Sequence, residues 1–280
     1  MYRASRRPAG RQVSRRLQPK TIRGLSGAFL LLVTRNKWMG NLNAVIQAGG
    51  QGTRLAPYST VLPKALMPVG EGTVIDNLLI QFANAGVRTV FVTVSKFGPL
   101  IRSYCGDGSR WNLQIEYVKE DKPLGTIGPL DSVRHRLDGP FFVANSDVYT
   151  DLDLARVLAY HTANPAALTV VVTRQLVNIA YGVLEHRDGC VIDFKEKPTE
   201  EFSVSTGLYC MEPGIFKYIP RDLPYGFDDL MRDMLAAKAP INAFIHTGLW
   251  IDIGRIEDLR KAQEQAAAQL HKAPGGHEDD

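Results

Sequence analysis

Three groups of residues in this 280-residue chain have types and spacing that could do phosphate chemistry. The first is Gln47-Ala48-Gly49-Gly50-Gln51-Gly52-Thr53-Arg54-Leu55, followed by Pro63-Lys64-Ala65-Leu66. Three glycines directly after an apolar run let backbone N–H groups come close to a phosphate. Arg54 offers a fork for phosphate oxygens and Lys64 a compact cation. A tight turn that only packs would need neither charge. The second group centres on Asp147, an acid at the end of the apolar run 141–144, where packing gives it no purpose. Phosphate-transfer chemistry depends on positioning and charge neutralisation, usually with Mg2+, which takes one or two carboxylates beside phosphate oxygens and water. Asp151 and Asp153 follow closely, and one of them is expected to cap the next helix. The third group is Lys195-Glu196-Lys197-Pro198, which as a bare charge run would be a solvated face.

Other chemistries fail on spacing. A Walker A loop needs Lys-Ser/Thr after its last glycine, and this loop continues Thr53-Arg54. A dinucleotide fingerprint needs a further glycine three residues on and an acid ending the next strand, which here ends Thr93-Val94-Ser95. The six histidines show no metal-ligand spacing, and no Ser/His/Asp arrangement can be argued. His246 reads as a structural or exposed side chain. The aromatics are scattered, so no base-stacking platform for nucleic acid is visible.

The loops must be presented by regular elements, and the pattern supplies them. Short apolar runs at 44–48, 87–94, 113–118, 141–144 and 168–173 read as buried strands. Helical spacing falls between them: Ile75, Leu78, Leu79 and Phe82 closed by Gly86, then 99–104, then 130–137, then Leu154, Val157, Leu158 and His161. This alternation implies an α/β fold, a Rossmann-like, mixed but mostly parallel sheet flanked by helices, with ligands at the edge where the strands end. The second half changes character. Asp188-Gly189 joins a hairpin, 204–210 reads as a strand, Pro213 opens a short helix, and 227–237 is amphipathic. Runs 241–245 and 249–253 read as strands, and a last helix starts at Ile256. A smaller β-rich lobe folded onto one domain is expected.

The stretch GGQGTRLAPYSTVLPKALMPVG resembles the signature of the nucleotide-sugar pyrophosphorylases, the sugar-1-phosphate nucleotidyltransferases, whose usual form is GGxGTRLxPxTxxxPKPLxPV. Ala65 stands where the second proline is usual. The resemblance runs from about Leu42 to Gln263. It implies synthesis of an NDP-sugar and pyrophosphate from an NTP and a sugar 1-phosphate, with Mg2+. Arg54, Lys64 and Lys197 would be catalytic, and Ala48, Gly49, Gly50, Gln51, Gly52 and Thr53 would bind nucleotide. Asn145-Ser146-Asp147 and Trp250-Ile251-Asp252-Ile253-Gly254 resemble the segments that supply two metal carboxylates, Asp147 and Asp252. Phe194-Lys195-Glu196-Lys197-Pro198 resembles the sugar-binding segment, so Glu196 would accept from sugar hydroxyls and Lys197 would hold the sugar phosphate. Gly182 and Thr206 match further sugar-pocket positions, which makes the β-rich lobe the sugar-binding one. Lys122 to Leu130 resembles the base-pocket segment of the mannose-1-phosphate guanylyltransferase branch, and carries Leu124, Gly125 and Thr126 over as nucleotide contacts. GTP with mannose or manno-heptose 1-phosphate is the first expectation. The alternatives are dTTP, UTP or CTP with glucose 1-phosphate, or a catalytically silent nucleotide-sugar-binding subunit. No room after Gln263 is seen for a left-handed β-helix, so acyl transfer is not expected.

Charge divides the chain. Residues 1–40 hold eight Arg and two Lys and no acid, so the remaining 23 basic residues face 29 acids and the body from residue 41 carries about −6 against +4 for the whole. The basic leader is therefore no nucleic-acid face of the fold. Its short apolar run 28–33 and Pro8 and Pro19 fit neither an export signal nor a presequence well. It is expected to be a disordered arm or a start-site artefact ahead of Met39. Residues 41–265 would form the nucleotidyltransferase domain and 266–280 a polar tail. Three cysteines without a CxxC pair point to reduced thiols in the cytoplasm, and no apolar run of about 18 residues offers a membrane span. Expected partners are the NTP and sugar 1-phosphate, with neither nucleic acid nor membrane. Assembly with further copies stays open.

Overall fold

The computed structural model describes residues 42–50 and 53–270. The expectations for the basic leader, for Gln51 and Gly52, and for residues 271–280 lie outside the described residues.

In chain order the elements are β1 (Asn43–Ala48), β2 (Pro68–Val69), β3 (Gly72–Thr73), α1 (Val74–Asn84), β4 (Thr89–Val94), α2 (Gly98–Cys105), β5 (Gln114–Lys119), β6 (Phe141–Asn145), β7 (Val148–Thr150) and α3 (Leu154–Ala163). There follow β8 (Leu168–Asn178), β9 (Val183–Arg187), β10 (Cys190–Lys195), β11 (Thr199–Met211), α4 (Phe227–Ala236), β12 (Ile241–Ile245), β13 (Trp250–Asp252) and α5 (Ile256–Leu270). Seven strands form one sheet in the order β12-β8-β11-β6-β1-β4-β5. Four of its six pairings are parallel, and β11 alone runs against both neighbours. This is the mixed, mostly parallel α/β sheet expected from the sequence.

Alternation along each strand divides the core into two layers. Ala44, Ile46 and Ala48 face α1, α2 and α3 with Val90, Val92 and Phe142. Val45, Phe91 and Val143 face the other way, against Leu130, Ile215, Leu230 and Met234. Strands buried on both faces read as continuous apolar runs, so the sequence shows them plainly. A third, smaller cluster joins Leu55, Met67, Val69 and Tyr149 to Ile253, Leu259 and Ala266 of the C-terminal segment. The last helix thus continues to pack past residue 265. Asp153 caps α3 through the N–H groups of Ala155 and Arg156, and Thr73 with Asp76 caps α1.

Three differences have physical reasons. Residues Gly128–Arg136 form a 3-10 helix where 130–137 was expected to be helical. Its buried Leu130 and Val133 are three apart, a spacing that suits three residues per turn. Strands β8 and β11 run on to Asn178 and back from Thr199, beyond the sheet, where their side chains are exposed and polar residues hide the strand pattern. With the hairpin β9–β10 they form the β-rich lobe. The short strands β7 and β13 pair with each other, outside the main sheet, and were too brief for a pattern to show both. No helix among the described residues is long and apolar enough to cross a membrane.

Candidate functional site

A cleft of about 550 Å³ opens at the ends of β1, β4, β5 and β6. Its walls include Ala48, Gly49, Gly50, Lys64, Ser95, Glu120, Gly125, Thr126, Asn145 and Asp147. The sheet edge where the parallel strands end is therefore the place the sequence argument pointed to. Gly50 has nothing within 4 Å of where a Cβ would stand, so it presents bare backbone. Gly49 is held by its carbonyl, which accepts from Ser95 Oγ at 2.7 Å. A Cβ on Gly49 would lie 2.5 Å from Glu120 Oε1, so the glycine admits a carboxylate beneath the loop.

The two expected metal carboxylates are brought together by the β7–β13 ladder. Asp252 pairs with Val148, the residue after Asp147, and the Ile253 N–H donates to the Asp147 carbonyl at 2.8 Å. Burial pushes the Asp252 carboxyl above the usual carboxylate range, and the charge of Asp147 adds to this, while Lys64 and Arg54 pull the other way. Lys64 Nζ lies 2.7 Å from Asp147 Oδ2, with both side chains largely buried. Arg54 is exposed on the Asp252 side, its Cζ 4.0 Å from where a Cβ on Gly254 would stand. Arg54, Lys64, Asp147 and Asp252 thus form one cluster at the rim of the glycine loop. Among the described residues no three His, Cys, Asp or Glu side chains converge as a metal cage. Two carboxylates suffice for a cation that completes its shell with phosphate and water.

Gly182, Glu196 and Lys197 sit on the lobe and Thr206 lies where β11 enters the main sheet, and none of them is in the walls of the cleft. Gly182 packs under Phe194, whose Cε2 would be 2.5 Å from a Cβ there, and Glu196 Oε2 is 3.2 Å from the same point. Lys197 is exposed with φ +43, and the Pro198 carbonyl after it accepts from Ile179 N–H at 3.0 Å. Thr206 is buried, and its hydroxyl donates to the Val171 carbonyl at 2.9 Å. Its carbonyl accepts from Trp250 Nε1 at 2.9 Å, which ties β11 to β13.

Leu124, Gly125 and Thr126 stand beside the cleft, but much of their chemistry is spent on the chain itself. The segment 222–227 runs alongside them. Tyr225 N–H donates to the Leu124 carbonyl at 2.9 Å, and Ile127 and Gly128 N–H donate to the Tyr225 carbonyl at 3.0 and 2.9 Å. Phe227 N–H donates to Thr126 Oγ1 at 3.0 Å, and Gln47 Nε2 donates to the Thr126 carbonyl. Gly125 has φ +78, and a Cβ on it would meet the Tyr225 carbonyl at 2.8 Å. Sequence reasoning missed this strap and also missed Glu120. The signal for Glu120 was available: like Asp147, it is an acid just beyond a sheet strand, here β5. Burial raises the Glu120 carboxyl above its usual range, partly offset by the nearby Thr93 hydroxyl.

Against known proteins, the sequence matches the nucleotidyl transferase family over residues 43–269. The chain belongs to that family. It is 33% identical over 228 residues to a mannose-1-phosphate guanyltransferase of Yarrowia lipolytica, covering 78% of this chain and 62% of that one. It is 32% identical over 242 residues to a UTP--glucose-1-phosphate uridylyltransferase of Synechocystis, covering 79% and 62%. The chain thus spans about 62% of the length of these two relatives. Among solved structures, HddC from Yersinia pseudotuberculosis complexed with GMP-PN superposes with a TM-score of 0.62 at 25% identity, covering 80% of this chain and 99% of that one. The family resemblance read from the glycine loop is borne out, and the nucleotidyl transferase match includes every candidate site residue named above.

Proposed function

We propose that the chain transfers a nucleotidyl group from an NTP to a sugar 1-phosphate, giving an NDP-sugar and pyrophosphate. The observation that carries this reading is the cluster of Arg54, Lys64, Asp147 and Asp252 at the rim of a glycine-loop cleft. A sugar-phosphate oxygen attacks the α-phosphorus. The bond from the α-phosphorus to the bridging oxygen breaks, and that oxygen leaves with the electron pair as pyrophosphate. The attacking phosphate is already anionic at neutral pH, so no general base is needed. Arg54 and Lys64 offset charge on the leaving pyrophosphate and at the α-phosphate. Lys197 holds the attacking phosphate, and Glu196 accepts from sugar hydroxyls. Gly49 and Gly50 present backbone to the nucleotide phosphates, and the family signature assigns Gln51, Gly52 and Thr53 to nucleotide binding as well.

The residues present fit a hard divalent cation. Asp147 and Asp252 are side by side, and the upward push of one on the other is what a cation between them would relieve. We assign these two side chains to Mg2+, which when bound neutralises charge on the phosphates.

We favour guanine as the base. An ionised Glu120 in the cleft accepts hydrogen bonds and donates none. Guanine alone presents two adjacent donors, N1–H and the N2 amine. Uracil and thymine flank their N3–H with carbonyls that an acid repels. The Yarrowia relative is named for guanyl transfer and the Yersinia protein is complexed with GMP-PN, which supports the same choice. Mannose or manno-heptose 1-phosphate is the acceptor we would try first. Such a product would feed polysaccharide synthesis in the cytoplasm, a reducing compartment in keeping with three free thiols.

The test is pyrophosphate release with Mg2+ in a matrix of GTP, UTP, dTTP, CTP and ATP against sugar 1-phosphates. Turnover concentrated in the GTP row is expected. Arg54→Ala should lower kcat by about 10²–10³-fold with little change in KM for the sugar phosphate. Turnover in no cell of the matrix, or full turnover in the Arg54 variant, would overturn the reading.

A further inference from the structure

His246 contributes nothing to the chemistry above, yet it is buried and its Nε2 has three polar neighbours. Its backbone N–H donates to the Val172 carbonyl at 2.8 Å, extending the β12–β8 pairing by one residue. Its backbone is therefore part of the main sheet. Its side chain reaches the other way. Nε2 lies 3.1 Å from the Leu249 carbonyl, 3.1 Å from Asp151 Oδ1 and 3.4 Å from Thr150 Oγ1. The Thr150 hydroxyl gives its own proton to the Leu249 carbonyl at 2.7 Å and accepts from Leu152 N–H at 3.1 Å. Every neighbour of Nε2 thus offers a lone pair, so Nε2 carries the proton and bonds as donor.

Leu249 and Thr150 flank the far end of the β7–β13 ladder, whose first pair is Thr150 with Trp250 and whose last is Val148 with Asp252. Asn77 and Gln81 of α1 hold the backbone of Thr150 from the opposite side at 3.0 and 3.2 Å. This two-stranded ladder is outside the main sheet, and a ribbon of three residues a side has little stability of its own. Gly248 makes room for the arrangement, since a Cβ there would collide with Asp151 Oδ1 and the His246 ring.

We infer that His246 is a positioning residue that couples the ladder bearing Asp252 to the central sheet, and so fixes the Asp147–Asp252 pair for its cation. This deepens the proposed function and rests on its metal assignment. His246 touches neither carboxylate. It acts through Leu249 and Thr150, and orientation passed along a short hydrogen-bonded ladder is what outer partners supply at metal sites.

The experiment compares His246→Leu with His246→Gln in the full chain, with Asp252→Asn as reference. Glutamine places an amide N–H near the position of Nε2, and leucine fills the space without a donor. Mn2+ binding is followed by the electron paramagnetic resonance of free ion, and pyrophosphate release is measured beside it. The Leu variant should bind Mn2+ about tenfold more weakly and lose about tenfold in kcat, with KM for the sugar phosphate within about twofold. The Gln variant should recover both to within about threefold. Melting curves report folding, and if the Leu variant does not fold, His246→Asn, too short to reach the Leu249 carbonyl, takes its place. Unchanged Mn2+ binding in a folded Leu or Asn variant overturns the inference, as does equal loss in that variant and the Gln variant. If the unmodified chain binds Mn2+ no better than Asp252→Asn, the metal assignment itself fails and the inference falls with it. The reference variant separates these two failures.

Discussion

At the level of single residues, the site turns on where carboxylates stand and what surrounds them. Asp147, Arg54 and Lys64 were read as candidates because each is a charged type at a place with no packing purpose, at a strand end or beside a glycine turn, and the structure brings them together. Glu120 obeys the same logic but follows a strand whose polar Glu116 and exposed Lys119 made its end hard to see. Its placement under Gly49 gives a double prediction. Because its folded-state carboxyl sits above the ordinary range, the folded protein binds more protons than the unfolded chain between those two values. Stability conferred at low pH is therefore lost as pH rises through that window. Glu120→Gln should melt higher than the parent at pH 7 and no higher at about pH 3, below the ordinary carboxylate value. The same variant should lose about 10–100-fold of its preference for GTP over UTP, the worth of a charge-assisted hydrogen bond. Melting curves at the two pH values and competition between the two nucleotides check both parts. An unaltered nucleotide preference would remove Glu120 from the base pocket.

At the level of elements, the sequence showed what was periodic and missed what was joined by backbone alone. The buried strands β1, β4 and β6 were visible as unbroken apolar runs. The strap at 222–227 was not, because its bonds to Leu124, Ile127 and Gly128 use main-chain groups nearly a hundred residues away and leave no mark on residue type. Gly125 of the Leu-Gly-Thr segment was assigned to nucleotide contact by the family resemblance. The structure gives that glycine a further reason, the close passage of Tyr225 and its own positive φ. A side chain there meets a carbonyl that cannot swing away. Gly125→Ala is thus expected to cost about 1–3 kcal/mol of stability from the strained backbone. By shifting the segment beside Thr126, it should also raise KM for the nucleotide several-fold more than KM for the sugar phosphate. Steady-state kinetics with each substrate varied in turn decide this. Equal rises would mean that the strap supports the whole cleft, not its nucleotide side.

Across the whole molecule, one sheet serves two cores and a third cluster locks the C-terminal helix onto the segments that carry Asp147 and Asp252. The fold class was legible because a mostly parallel sheet needs helices on both faces, and the alternation of elements showed that. The lobe was legible only in outline, since ribbons exposed on their faces carry no core pattern. Charge adds a separate argument at this scale. All ten basic residues of the first forty lie within residues 1–38, ahead of Met39, while the family match begins at residue 43. The described core closes without them: β1 starts at Asn43 and is already paired on both sides by β4 and β6. A chain starting at Met39 should therefore keep its melting temperature and turnover while its net charge passes from +4 to about −6. Ion exchange at pH 7.5 shows the change of sign directly, with the shortened chain retained on an anion exchanger. Undiminished pyrophosphate release would assign the −6 body alone to nucleotide-sugar synthesis. A fall of tenfold or more, with the melting temperature unchanged, would instead give the basic arm a part in drawing the anionic substrates to the cleft, and that part should weaken as salt is raised toward 0.5 M, where screening reaches only a few ångströms.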